Sequence, residues 1–166
     1  MHIFIIFLVI LAAWRWADWS RFQQFHATML YIIAMNLLYF FFTFDYPLWT
    51  FESNIGIPER VLNLLHAFIV LPLTIIMFLS RFPDAIIHKL LYIAKWVLLY
   101  IVFEWGGYHL GAIEYHNGWS VTWSCLFVLV MFPMLRLHYT RPLIAYGLSI
   151  IIIAVLLTLF NVPWVH

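Results

Sequence analysis

Apolar residues in this chain come in long runs, broken by short clusters of charged and turn-forming residues. Crossing the hydrocarbon core of a bilayer takes roughly 20 mostly apolar residues, with about 17 as the practical minimum, so runs of this length predict transmembrane helices. Six segments are read this way: 3–16, 27–44, 61–80, 89–110, 119–135 and 142–160. The first is the shortest and reaches span length only with His2 and the Trp14-Arg15-Trp16 cluster in the two interfaces. Pro142 suits a first helical turn, where its missing N–H is not needed, and Pro163 follows the last run as a stop. Pro72 sits inside the third run and predicts a kink there.

Composition turns this pattern into a class. Of 166 residues, 66% are apolar, 20% aromatic and only 9% charged, and the mean hydropathy is +1.00. Soluble domains carry about one-quarter charged residues. A soluble fold of this composition would expose apolar surface far beyond a few hundred Å², whereas a lipid-facing helix exposes it without cost. The chain therefore reads as one all-α domain over residues 1–166, a polytopic transmembrane bundle of six short helices. Membrane lipids are its expected surroundings. The net charge of +1 comes with scattered Lys and Arg and no basic stripe, which speaks against a nucleic-acid partner. Cys125 is the single cysteine, so no internal disulfide is available.

Charge placement predicts the orientation. The first run is preceded by Met1-His2 and followed by Arg15 and Arg21, the reverse of a cleaved signal peptide, and reads as a retained anchor with its N-terminus outside. Six spans then place Arg15, Arg21, Arg81, Lys89, Lys95, Arg136 and Arg141 toward the inside and only Arg60 outside, as the positive-inside rule requires. Both termini are expected outside. Trp14, Trp16 and Trp19 would mark the inner interface, and Tyr46, Trp49, Tyr115, Trp119 and Trp164 the outer one. The longest connection, from Asp45 to Arg60, contains Tyr46-Pro47-Leu48-Trp49-Thr50-Phe51, read as a segment lying on the membrane surface. A short echo between His26–Ile32 and His88–Ile93 hints at a repeated hairpin, though two apolar helix starts resemble each other by chance.

Polar residues within the spans carry the remaining signal, because charge at membrane depth is expensive and usually faces the bundle interior. Glu104 and His66 lead. His66 lies five residues past the outer start of the third helix and Glu104 six before the outer end of the fourth, so each sits roughly 7–9 Å deep at 1.5 Å per residue, and the two are expected to meet. Tyr100, Glu104, Gly107 and Gly111 follow one helical face, with the two glycines as a small-xxx-small pair open to a close backbone approach. Asn63, Val70 and Thr74 make a matching stripe on the third helix, Thr28, Asn36, Tyr39 and Thr43 on the second, and Ser120 and Ser124 on the fifth. Such residues also serve merely to bond helices together, each for about 0.6 kcal/mol. Lys95 is expected to snorkel to the inner headgroups. The sixth helix, apolar nearly all round, should face lipid.

A second candidate is the outer loop with His109, Glu114 and His116, metal-ligand types without a compact helical motif and without thiolates. Loop His and Glu are more often solvated than metal-bound, so no metal and no other cofactor is predicted. Phosphate-binding loops, nucleophile elbows and paired catalytic carboxylates do not occur in the sequence.

The phrases Trp14-Arg15-Trp16-Ala17-Asp18-Trp19, Asn36-Leu37-Leu38-Tyr39, Tyr46-Pro47-Leu48-Trp49, Tyr115-His116-Asn117-Gly118-Trp119 and Met131-Phe132-Pro133-Met134 resemble an uncharacterised family of small polytopic membrane proteins from spore-forming Bacillus- and Clostridium-type bacteria. The resemblance implies a place in a bacterial cytoplasmic or spore membrane and carries over no activity or catalytic residue. Two functional classes are then open. One is a non-enzymatic structural or accessory component, with a second copy of itself or another membrane protein as its partner, favoured by the scarcity of charge in the spans. The other is a small membrane-embedded enzyme or transporter acting on a lipid, a hydrophobic solute or protons at an outward pocket around Glu104.

Overall fold

The computed structural model describes residues 1–53 and 56–163; Trp164 of the expected outer belt lies outside them. Six helices follow in order: α1 (His2–Trp16), α2 (Phe22–Phe42, entered through a 3-10 turn at Trp19–Arg21), α3 (Glu59–Ser80), α4 (Ile86–His109), α5 (Val121–Thr140) and α6 (Pro142–Leu159). The last five are long and apolar enough to cross a membrane, and α1, with 15 residues, is shorter. The protein is an all-α membrane-helix bundle. Its boundaries differ from the sequence pattern where polar residues continue a helix beyond the apolar run. Thus α2 starts at Phe22 instead of 27, and α5 continues through Pro133 to Thr140 instead of stopping at 135.

Connections alternate between two ends. At one end Arg21 in the α1–α2 turn donates from Nη2 to Ser80 O (2.6 Å) and the Asp18 N–H reaches Ser80 Oγ (2.9 Å), while Arg136 of α5 lies 4.4 Å over the Phe82 ring. At the other end Leu48, Trp119, Phe160 and Val162 pack together, and His2 bonds to loop carbonyls. Both ends of the described chain, with the α2–α3 and α4–α5 loops, therefore share one end of the bundle.

Part of the loop segment read as lying on the membrane surface forms a strand. β1 (Trp49–Phe51) pairs antiparallel with β2 (Ile113–Tyr115), matching Trp49 with Tyr115 and Phe51 with Ile113. Aromatic and β-branched residues on both segments suit a pleated pair, and the partner lies too far along the chain for local sequence to reveal it.

Helix α3 is central: half of its apolar window is buried, against 6% for α4. Phe78, Ile75 and Ile76 of α3 join Phe25 of α2 and Phe132 of α5 in the main apolar core. The kink expected at Pro72 takes the form of a wider π turn just before it, over His66–Val70, where the Leu71 N–H bonds His66 O. The α4 backbone packs chiefly against α5, and α4 reaches α3 through large side chains such as Tyr92 on Phe78 (5.7 Å between centroids). Helix α6 turns Leu143, Ile150, Ile151 and Val155 outward as expected, yet buries Ala145, Ser149 and Leu157.

Gly111 corrects the expected glycine face. Helix α4 ends at His109, and Gly111 (φ +64°) makes the left-handed turn after it, with Gly111 N–H to Tyr108 O (3.1 Å) and Ala112 N–H to Gly107 O (2.8 Å). This double closure is the Schellman motif, which needs a residue at ease with positive φ. Gly107 alone serves close packing: a Cβ there would lie 2.7 Å from Met1 Cε and 2.8 Å from Ile113 Cδ1. What it admits are two side chains rather than another backbone.

Candidate functional site

A cleft of about 520 Å³ runs along the bundle between α1 and α4, with α3 and α5 behind it. Aromatic residues at every fourth position of α4, Tyr92, Trp96 and Tyr100, stand between that helix and α3 and line the gap. The walls are Ile5, Val9 and Ala12 on one side and Leu99 and Phe103 on the other, leaving a sideways opening toward lipid. Polar groups gather at the end that holds the β1–β2 pair, while Arg81 and Lys95 line the opposite end. Lys95, expected to snorkel away to headgroups, thus contributes to the cleft wall.

Glu104, His66, Asn36, Asn63 and Ser124 all line this cleft. Ser120 does not, occupying instead the residue before the first turn of α5. Glu104 and His66 share the space, but neither is the other's bonding partner. Glu104 Oε1 accepts the Tyr115 hydroxyl at 2.9 Å, and the Ser124 hydroxyl bonds the same carboxylate. Tyr115 is positioned by its strand pairing with Trp49 and by stacking on Tyr108 (5.0 Å). Burial, and then the neighbouring Glu104 carboxylate, push its phenol well up, so it stays a protonated donor.

His66 bonds to His2, a residue the sequence presented only as an interface marker. His2 Nε2 lies 2.9 Å from Ala112 O and 3.1 Å from Glu52 O, and carbonyls only accept, so Nε2 carries the proton. In the neutral ring His2 Nδ1 is then an acceptor, and His66 Nε2, 3.2 Å away, must donate to it. The chain of tautomers leaves His66 Nδ1 as a bare lone pair. Phe51 covers the pair, 4.9 Å from the His2 ring and 4.5 Å from that of His66.

The other donors at this end are also committed. Trp119 Nε1 donates to Ser124 Oγ (2.8 Å), Tyr100 Oη to Thr74 Oγ1 (2.7 Å), and Asn63 Nδ2 faces Glu59 Oε1 (3.4 Å). Tyr39 holds the loop above by accepting from the Leu48 and Trp49 N–H groups, each at 3.2 Å. Asn36 Oδ1 is buried with no partner, between this cleft and a smaller cavity of about 190 Å³ among α2, α5 and α6. A second polar cluster was not foreseen. Thr28 Oγ1 meets His138 Nδ1 (3.0 Å), Tyr31 stacks on that ring (4.1 Å) and its hydroxyl reaches Ser149 Oγ (2.6 Å), while His138 Nε2 has no partner.

His109, Glu114 and His116 do not converge. His109 is exposed against Trp105 (4.3 Å), Glu114 points outward from β2, and His116 Nε2 meets Thr50 Oγ1 (2.8 Å). Among the described residues no three metal-ligand side chains stand close enough to hold an ion.

The fold and site define a membrane-helix bundle with a cleft that has apolar walls, a cluster of polar groups at one end and two cationic side chains at the other. Comparison of the chain with protein-family models, curated proteins and solved structures gives no match.

Proposed function

We propose that this protein binds a membrane amphiphile, which enters sideways between α1 and α4, lays its tail along Val9, Ala12 and Leu99, and sets its polar end beside Glu104 and His66. The observation behind this reading is the 520 Å³ cleft itself, a volume in the range of small-molecule sites, with apolar walls and polar groups collected at one end. We further propose a bacterial cytoplasmic or spore membrane as its location, with both termini outside. The supporting observation is that the loops bearing Arg15, Arg21, Arg81, Arg136 and Arg141 share one end of the bundle.

Purification in a neutral detergent followed by native mass spectrometry tests the binding. The expected result is one amphiphile retained per chain, and its loss in Ala12→Trp, which fills the cleft. Equal retention by that variant, or none by the wild type, overturns the reading. The competing role, an accessory component docking a copy of itself or another membrane protein, draws on the outward face of α4, where Leu90, Leu91, Leu98, Val102 and Trp105 are uncovered. It predicts retention of a protein partner that Ala12→Trp leaves unchanged.

A further inference from the structure

The polar end of the cleft gathers a carboxylate, an imidazole lone pair and aromatic faces. Tyr115, Trp119, Tyr100 and His2 have each spent their polar hydrogen on a protein partner. His66 has spent its own on His2, so its free nitrogen is a lone pair. Glu104 is the acidic side chain lining the cleft; it accepts hydrogen bonds from the neutral Tyr115 and Ser124 hydroxyls, and no cationic side chain of the described residues forms an ion pair with it. A carboxylate removed from bulk water with only neutral donors is under-compensated, and a counter-charge stabilises it strongly. Arg81 and Lys95 line the far end, and Lys95 lies nine residues along α4, about 13 Å at 1.5 Å per residue, beyond salt-bridge reach.

The surrounding walls are aromatic. Trp49, Phe51, Phe103, Trp119 and Phe127 line the cleft, with Trp49 and Trp119 5.1 Å apart and both 6.4 Å from Phe127. Aromatic faces attract cations, and do so more strongly where water is excluded. Carboxylate, imidazole lone pair and ring faces are all electron-rich and favour a cationic headgroup over an anionic one. We infer that the ligand is a cationic amphiphile, an alkyl chain bearing an ammonium headgroup that seats against Glu104 within these rings. This rests on the binding reading above. The cations at the opposite end fix the polarity of the bound molecule by repelling its head.

The probes are dodecyltrimethylammonium and dodecyl sulfate, added below micellar concentration to the full chain in nanodiscs and read by tryptophan fluorescence. The ammonium is expected to bind at least about ten-fold more tightly than the sulfate. Glu104→Gln should abolish that preference while Glu104→Asp keeps part of it, and Ala12→Trp should lose both ligands. Equal affinities in the wild type, or a preference that survives Glu104→Gln, overturn the inference. If the two probes bind equally and Ala12→Trp removes both, the cleft reading stands and the cation reading alone falls. If neither probe binds, both fall.

Discussion

The two ends of the bundle solve opposite problems. At the end carrying Asp18, Ser80 and Arg136, polar groups are tied off against one another: Arg21 to Asp18 and to Ser80, Ser20 to Asp18, Ser80 back to Ile76 O, and Arg136 over Phe82. Just inside lies the apolar core of Phe25, Phe78 and Phe132, and His138 Nε2 is the polar atom left over among the described residues there. At the other end, the polar groups are brought together from Met1-His2, the Glu52 loop, the Ala112 turn and α3, and their acceptors are left facing a cleft. One end ties helices to one another, and the other leaves polar groups beside an open cleft.

The sharpest way to break this comparison is to ask which end faces the cell interior. Single cysteines at Gln24 and Glu114, in a Cys125→Ser background, should divide all-or-none with an impermeant thiol reagent on intact cells: Glu114→Cys labels and Gln24→Cys does not. Labelling of Gln24→Cys reverses the proposed orientation and moves the polar cleft to the inner face.

Next in size is the core. Phe132 is fully buried, with ring centroids 5.0 Å from Phe78 and 5.2 Å from Tyr100, so Phe132→Ala should cost about 3–5 kcal/mol in reversible unfolding from mixed micelles. The same substitution also removes a prop behind α4, so amphiphile retention should fall with stability.

Tyr115→Phe is a smaller change that separates the two roles. It removes one of the two hydroxyl donors to the Glu104 carboxylate, an expected loss of about 1–3 kcal/mol in the same unfolding assay. Ammonium binding should persist, because the ligand supplies the missing partner. A parallel loss of that binding would assign Tyr115 to the ligand rather than to the carboxylate.

The mildest prediction concerns pH at the tied-off end. Hydrogen bonds from Ser20 and then Arg21 hold the Asp18 carboxyl below its ordinary value of 3.8. A depressed carboxyl contributes stability that is present above its unfolded value and lost as pH falls through its folded one. Thermal unfolding should therefore be level from neutrality to about pH 4 and weaken below it, and Asp18→Asn should flatten that acid limb. Asp18 is exposed, so the effect should be slight and reduced by salt.

Much of the fold was legible because its signals are local. The length of each apolar run, the charges between runs, and Pro142 at a helix start can each be recognised within a window of about 20 residues, which is the length scale set by the bilayer. The depth matching that placed Glu104 and His66 at the same level was also legible, since rise per residue is fixed, and both do line one cleft. Which groups bond could not be read. Each residue turns a helix by about 100°, so a small rotation or shift of one helix exchanges one partner for another. That is how Tyr115 came to hold Glu104, and His2 to hold His66, from 11 and 64 residues away. By itself, then, the sequence determined the class of protein, the set of helices and the depth of the polar groups. Only the tertiary structure decided that Gly111 is a turn, that two loop segments pair as strands, and that aromatic side chains of α4 stand between it and α3 and line a cleft, because those outcomes depend on packing between segments that no local pattern relates.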